Sequence, residues 1–265
     1  MSDMQVRAPQ NRIARALERR LGKRYQQFVF WRAMRRFMRA ASSNSKEFDP
    51  ALLSELVQGW GNTWSAQHEF LAACLQHVRE TDGPVLECGS GLSTVLIGAV
   101  GQARGIRVYS LEHEPKWATR VQKTLHKYRI HSVNMCVAPI RSYGDFDWYA
   151  LPSLQTIPPR VSLVICDGPP GGTRGGRYGL VPVMLEKLRE DCVILLDDGA
   201  RDEERSIANR WGQMLGGNTE LIGSDKPFIR LRAGRTSNPL QVAPIAEHAD
   251  LEDQSLPGNG LPHGA

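Results

Sequence analysis

Three aspartates in two short stretches could do chemistry together. Asp167 follows the apolar run VSLVIC (161–166), and Asp197 and Asp198 follow CVILL (192–196). A short apolar run bounded by turn residues reads as a buried strand, so each acid stands where a strand ends. Such a group supports two kinds of chemistry. One carboxylate can act as general base, taking a proton from a hydroxyl that attacks an electrophile. Alternatively, Asp167, Asp197 and Asp198 offer three oxygen ligands to a divalent cation such as Mg²⁺, with water and a chelating substrate completing the shell. One of Asp197 and Asp198 can also cap the helix that follows. The loop after Asp167, GPPGGTRGGRYG, carries Arg174 and Arg177. Guanidinium groups bind carboxylate or phosphate through paired hydrogen bonds. Arg177 is therefore a candidate catalytic or recognition residue for an anionic or hydroxyl-rich substrate, and a solvated loop is the alternative.

A second constellation lies earlier, in VLECGSGLSTVLIGAV (85–100). It reads as strand, glycine turn and helix, where Gly89 and Gly91 can take positive φ and let a ligand approach the backbone at a helix N-terminus. The usual dinucleotide pattern wants a third glycine at position 94, where Thr94 stands. The spacing is instead Glu87-x-Gly89-x-Gly91-x-Ser93, and an acid before the glycines suits a ligand with an ammonium group better than a pyrophosphate. The next strand, RVYSLE (107–112), ends in Glu112, placed to accept both hydroxyls of a ribose. Glu114 is its rival, or else caps the helix starting at Pro115. His113 is a further candidate base. Glu87, the glycines and Glu112 together describe a site for an amino acid joined to a nucleoside.

The elements that position these residues follow from periodicity. Strands are expected at 84–88, 107–112, 133–138, 161–166, 192–197, 219–223 and 227–232, with helices at 92–103, 115–129, 179–190 and 201–215. Apolar strands separated by helices imply a mostly parallel sheet covered on both faces. The last two strands, joined only by SDK, read as an antiparallel hairpin at one edge. Four regions result: a basic helical arm (1–46), a helical cap (47–82), the α/β domain (83–233) and a disordered tail (234–265). Asp49 and Pro50 mark a helix start. Trp64, Gln67 and His68, and Trp148 and Tyr149 in YGDFDWY, could roof an acceptor pocket, with core packing the plainer use of the aromatics.

Charge is unevenly spread. Residues 1–46 hold 12 Lys/Arg against Asp3 and Glu18, whereas the remainder holds 21 Lys/Arg against 26 acids. Within the arm, Ile13, Leu17, Leu21, Tyr25 and Phe28 recur at helical spacing among arginines. Residues 11–40 can dock on their own domain, self-associate, lie on an anionic membrane surface, or contact a polyanion. No run of about 18 apolar residues suggests a membrane-spanning helix. The five cysteines show no CxxC pair and no zinc spacing, as expected of reduced thiols in a cytoplasmic protein, here one that can sit peripherally on a membrane.

Residues 83–233 resemble the class I S-adenosylmethionine (SAM)-dependent methyltransferases, and most closely a small-molecule O-methyltransferase-like subgroup with E-x-G-S-G-x-S-T, DGPP…R and DD elements. The resemblance implies a Rossmann-like α/β fold of seven strands with a terminal antiparallel hairpin, extended here by N-terminal helices. It implies that Glu87, Gly89, Gly91 and Ser93 hold the methionine part of SAM and Glu112 the ribose. The acidic residue that many members use for adenine is missing from CVAPI, which leaves backbone groups around Ala138. Metal-dependent catechol-type enzymes put one Asp after strand four and Asp-Asn after strand five; here the pair is Asp-Asp, and GPP replaces their lysine. Base-methylating enzymes place Pro-Pro-aromatic directly after an Asp or Asn, whereas Gly168 interrupts that pattern and argues against a nucleic-acid acceptor. The expected acceptor is a small molecule or glycan methylated on oxygen. The alternatives are an RNA methyltransferase that uses its basic arm and a non-catalytic SAM-fold interaction protein.

Overall fold

The computed structural model describes residues 10–43, 47–62 and 66–234. Trp64 and nearly all of the expected tail lie outside the described residues. The arm is a single helix, α1 (Gln10–Ala41), followed by α2 (Pro50–Trp60) and α3 (His68–Glu80). Asp49 caps α2 as expected, accepting from the Ala51 N–H at 2.9 Å ahead of Pro50.

The α/β domain then runs β1 (Val85–Cys88), α4 (Leu92–Arg104), β2 (Val108–Glu112), α5 (Pro115–Lys127) and β3 (Val133–Val137). A small ribbon, β4 (Ile140–Ser142) with β5 (Asp147–Tyr149), and the turn α6 (Leu151–Leu154) lead into β6 (Val161–Cys166). After α7 (Leu180–Met184) come β7 (Leu188–Leu196), α8 (Asp202–Leu215), β8 (Asn218–Ile222) and β9 (Phe228–Arg232).

Seven strands form one sheet in the order β3-β2-β1-β6-β7-β9-β8, with β9 antiparallel to both neighbours. This is the expected Rossmann-like arrangement with its edge hairpin. Strand order reverses between β1 and β6, where Cys88 pairs with Cys166. Open α/β sheets bind ligands at the carboxyl ends of the strands flanking such a reversal. Gly89 and Asp167 are the residues that leave the sheet there.

Alternation along the strands sends side chains into two cores. Val85, Leu163, Ile165 and Leu195 face α3, α4 and the N-terminal helices, where Phe37, Leu53, Phe70 and Leu96 pack. Leu86, Val164, Ile194 and Leu196 face the other layer, filled by Trp148, Tyr149, Leu180, Met184 and Trp211. The aromatics of YGDFDWY are thus core residues carried by the β4–β5 ribbon.

The helix expected at 179–190 is cut short. Only Leu180–Met184 is α-helical, a 3₁₀ turn follows, and β7 begins at Leu188, which pairs with Val161. LEKLRE is composed of good helix formers, but propensity is overridden here by tertiary context, the pairing of Leu188 with the buried Val161. The capping role considered for Asp197 or Asp198 is also corrected. The cap of α8 is Arg201, without a side-chain bond, and acids in its first turn, Asp202, Glu203 and Glu204, face the helix dipole instead.

Candidate functional site

The glycine loop and the loop after β6 meet at the sheet reversal. Gly89 takes φ +86°, as expected, and a Cβ on it would fall 2.9 Å from the Gly168 nitrogen. A Cβ on Gly168 would in turn lie 2.8 Å from Gly89 Cα and 2.7 Å from the Tyr149 hydroxyl. Both positions exclude side chains because two backbones touch. The Asp167 and Gly168 N–H groups donate to the Cys88 carbonyl at 3.0 and 2.6 Å, locking the two loops together. The Tyr149 hydroxyl is buried there without a hydrogen-bond partner among the described residues, and burial raises its pKa well above the ordinary phenol value. Gly91 differs from expectation. Its φ of 179° is extended backbone, and its N–H donates to Thr94 Oγ1 at 2.8 Å. A Cβ there would meet nothing within 4 Å, so the space before α4 is open to a ligand.

Glu87 is fully buried beneath this loop. Its Oε2 accepts from Thr94 Oγ1 at 2.7 Å and Ser110 Oγ at 2.6 Å. Burial lifts its pKa to about 7 against the opposing pull of the Ser110, Thr94 and Ser93 hydroxyls. Ser93 lies near enough to favour the carboxylate, yet among the described residues Oε1 gains no hydrogen bond of full geometry. A buried carboxylate oxygen lacking a partner costs free energy unless a ligand donates to it. An ammonium group is such a donor, and Thr94, standing where a third glycine would be, is the residue that orients the acid.

Glu112 is also nearly buried. It accepts from the Ser90 N–H (3.1 Å), the Ser90 hydroxyl (2.7 Å) and the Glu114 N–H (2.9 Å), and pairs with His113 Nδ1 at 3.1 Å. Trp117 Nε1 donates to the Ser90 carbonyl at 2.7 Å, so α5 also steadies the glycine loop. Glu114 caps α5 by accepting from the Lys116 N–H, which leaves Glu112 as the acid at the strand tip. Ala138 is buried, and its N–H donates to the Glu112 carbonyl at 2.8 Å. Only its carbonyl is left to meet a ligand.

Beside this pair stands the second group of acids. Asp167, Asp197 and Asp198 bring one carboxylate oxygen each within 4.8 Å of one another, the spacing of a metal site. Cations of the chain itself already hold these oxygens. Arg177 is 3% exposed and donates to Asp198 Oδ2 (2.9 Å), Asp167 Oδ1 (3.2 Å) and the Asp167 and Asp197 carbonyls (both 2.8 Å). Lys226 Nζ lies 2.9 Å from Asp197 Oδ2 and 3.0 Å from Asp198 Oδ1. Arg201 adds a contact of 3.1 Å to Asp198, and the Asp198 N–H donates to Asp197 Oδ1 at 2.8 Å. A divalent ion would have to displace the Lys226 ammonium, so the donor set does not fit one.

The charges decide the titration. Burial pushes Asp198 up, but Arg177 and Lys226 outweigh it and hold its pKa below the usual range. Burial and the neighbouring Asp197 raise Asp167 to about 7 despite Arg177 and Lys226. Arg177 loses some affinity for its proton through burial and more than recovers it from Asp167. Asp167 is the most open of the three acids, its side chain 29% exposed, and among the described residues nothing donates to its Oδ2.

The sequence-derived residues thus fall into two adjacent groups at one crevice: Glu87, Gly89, Gly91, Ser93 and Glu112 on one side, Asp167, Asp197, Asp198 and Arg177 on the other. Arg177 points inward and holds the acids, while Arg174 pairs with Asp147 and Ser142 and pins the β4–β5 ribbon. Lys226 was missed by sequence reasoning, since it is one polar residue of the turn between β8 and β9. That turn is anchored to α3 by Glu69, which accepts from the Ser224 N–H and hydroxyl at 3.2 Å.

Residues 86–199 match a family model described as a methyltransferase domain. No curated protein matches the chain in sequence. Among solved structures, the SAH-bound methyltransferase PaMTH1 of Podospora anserina superposes with a TM-score of 0.52 at 15% identity, over 76% of this chain and 94% of that one. The O-methyltransferase of Bacillus cereus, in complex with SAH, gives 0.50 at 17% identity, over 68% of this chain and 90% of that one. At these identities the likeness is one of fold.

Proposed function

We propose that the chain transfers a methyl group from SAM to an oxygen of a small-molecule or glycan acceptor, with Asp167 as general base and no metal. That it is a SAM-dependent methyltransferase is supported by the matched domain and by the sheet order. SAM fits the cofactor side. Glu87 would hold the ammonium through its unpartnered Oε1, Ser93 the carboxylate, Glu112 the ribose and the Ala138 carbonyl the adenine amine, while the room beside Gly91 admits the methionine chain. When bound, SAM supplies an electrophilic methyl on a sulfonium. What falls to the protein is to align the acceptor, take its proton and exclude water.

The observation that carries this reading is Asp167. It is the one acid of the triad open to the crevice, and it abuts Gly89 through the Gly168 contact. A pKa of about 7 lets it accept a proton near neutral pH. Asp197 and Asp198 stand beside Asp167 and raise its pKa by charge repulsion, while Arg177 and Lys226 hold Asp198 itself below the usual range, and so the basicity of Asp167 is sustained. The O-methyltransferase among the similar structures supports oxygen as the acceptor atom, and the interruption at Gly168 counts against a base stacked on an aromatic ring. The DGPP and DD elements would then be the parts that build the base.

Transfer of a labelled methyl from SAM to a panel of phenols, carboxylates and sugars, with and without excess chelator, tests the proposal. Equal rates in both conditions and an alkali-stable or ester O-methyl product are expected. Loss of activity on chelation, restored by Mg²⁺, would overturn the metal-free reading.

A further inference from the structure

We propose that the outward face of α1 docks the protein on an anionic lipid bilayer. Phe30, Ala33, Met34, Phe37 and Ala41 lie on one side of the helix and are buried against the α2 layer. The opposite side carries Leu21, Tyr25, Phe28 and Trp31, which are 58%, 71%, 56% and 38% exposed. These four recur at spacings of three and four residues, so they form one stripe. One face therefore holds α1 on the body of the protein, and the other is left apolar in solvent.

Charge names the occupant. Arg24, Arg32, Arg35 and Arg39 flank or join the exposed stripe and face solvent, and no acid occurs from residue 19 to residue 46. Arg35 lies over the Trp31 ring at 4.9 Å, and Phe28 and Trp31 rest against each other. Arg36, by contrast, is turned back to Glu55 and Asp49. Aromatic and leucine side chains interleaved with arginines, in a helix too polar to span a membrane, suit the boundary between headgroups and acyl chains. Phosphates of anionic lipids would take the guanidiniums while the apolar stripe leaves water. A second copy pairing through the same face would set two strongly cationic helices together. A polyanion such as RNA would satisfy the arginines and leave Leu21 and Phe28 wet.

Flotation of the full chain with vesicles of phosphatidylcholine plus phosphatidylglycerol, against phosphatidylcholine alone, tests this without reference to catalysis. Binding at least about tenfold stronger to the anionic vesicles is expected, weakening as salt rises. Two variants at exposed positions, Leu21→Ser/Tyr25→Ser/Phe28→Ser and Arg24→Glu/Arg35→Glu, should each lose about tenfold or more while keeping the wild-type circular dichroism. Failure of the wild type to float with anionic vesicles at low salt would overturn the proposal. So would undiminished binding by the apolar variant, the mark of a purely electrostatic polyanion site. A concentration-dependent dimer that the apolar variant dissolves would overturn it in favour of a second copy.

Discussion

The crevice is lined by two groups of acids held in opposite ways. Glu87 and Glu112, at β1 and β2, are held by hydroxyls and backbone N–H groups, with the His113 imidazole the only basic side chain in contact among the described residues. Asp167, Asp197 and Asp198, at β6 and β7, are held by Arg177, Lys226 and Arg201. Neutral donors orient a carboxylate and leave its charge to be met by a ligand. Guanidinium and ammonium groups cancel it. The first side is therefore suited to a cationic, hydroxyl-bearing cofactor, and the second is a neutralised cluster with one member, Asp167, left open to take up a proton. Three carboxylates within 4.8 Å could not all stay ionised without those cations.

The largest effect expected from breaking this contrast is at Asp167. Asp167→Asn keeps the size and removes the proposed base, and should lower kcat by about 100- to 10,000-fold with little change in KM for SAM. In the wild type, kcat should rise with pH through about 7, and the variant's residual rate should lose that rise. The sign for stability is opposite. Asp167 is raised from 3.8 to about 7, so the native state holds the proton more tightly than the unfolded chain. Stability contributed by that proton is present below 3.8 and is lost as pH rises to 7, over the window in which the proposed base becomes able to take a proton.

Arg177→Met comes next. It strips the counter-charge from the half-buried Asp167 and the buried Asp198, beside Glu204, which lies 3.6 Å from Arg177. Urea unfolding should show a loss of about 3–5 kcal/mol, the usual cost of orphaning a buried ion. Lys226→Met should cost clearly less, since the Lys226 side chain is 34% exposed and solvent already screens it. Equal losses from both variants would mean that the cluster is not organised around Arg177.

These two cations mark where sequence reasoning stops. The strands, the glycine loop and the acids at strand ends were legible because each rests on a local pattern: apolar runs, Gly spacing, a charge at a run's end. Arg177 was singled out, but its direction was not legible. Whether a loop arginine points to solvent or folds back depends on the path of GPPGGTRGG, which is set by contact with Gly89 and Tyr149 far away in sequence. Lys226 gave no signal at all, because its partners are 28 and 29 residues earlier and are reached only when β9 pairs antiparallel with β7. The α1 helix was legible as amphipathic, yet which of its two apolar faces would be buried depended on α2.

On the cofactor side the effects are smaller, because neutral donors can be lost without stranding a charge. Glu112→Ala removes the acceptor at the tip of β2 and should weaken SAM binding by about 10- to 100-fold in titration calorimetry. Glu114→Ala is the matched control: it removes the α5 cap, costs about 1 kcal/mol of stability and leaves SAM affinity unchanged. A loss of affinity in the control equal to that of Glu112→Ala would show that loop order, not the ribose contact, is what Glu112 supplies.

Glu87→Gln is expected to have the smallest effect on stability, and its sign separates the two sides most sharply. The pKa of Glu87 rises from 4.5 to about 7 because the carboxylate is buried without a cation, so its ionisation weakens the fold as pH climbs between those values. Glutamine keeps an acceptor for Thr94 and Ser110 and carries no charge. The variant should match the wild type at low pH and exceed it by about 1 kcal/mol at pH 8, the gain being limited because the two hydroxyls already favour the ionised form. Affinity for SAM should fall in the same variant, since the group proposed to face the ammonium is now neutral. The corresponding change on the other side, Asp198→Asn, should destabilise at pH 8, because Asp198 is held below its ordinary range by Arg177 and Lys226 and its charge is needed there. Unfolding curves of the two variants that move in the same direction at pH 8 would remove the distinction between an acid kept for a ligand and an acid kept for the fold.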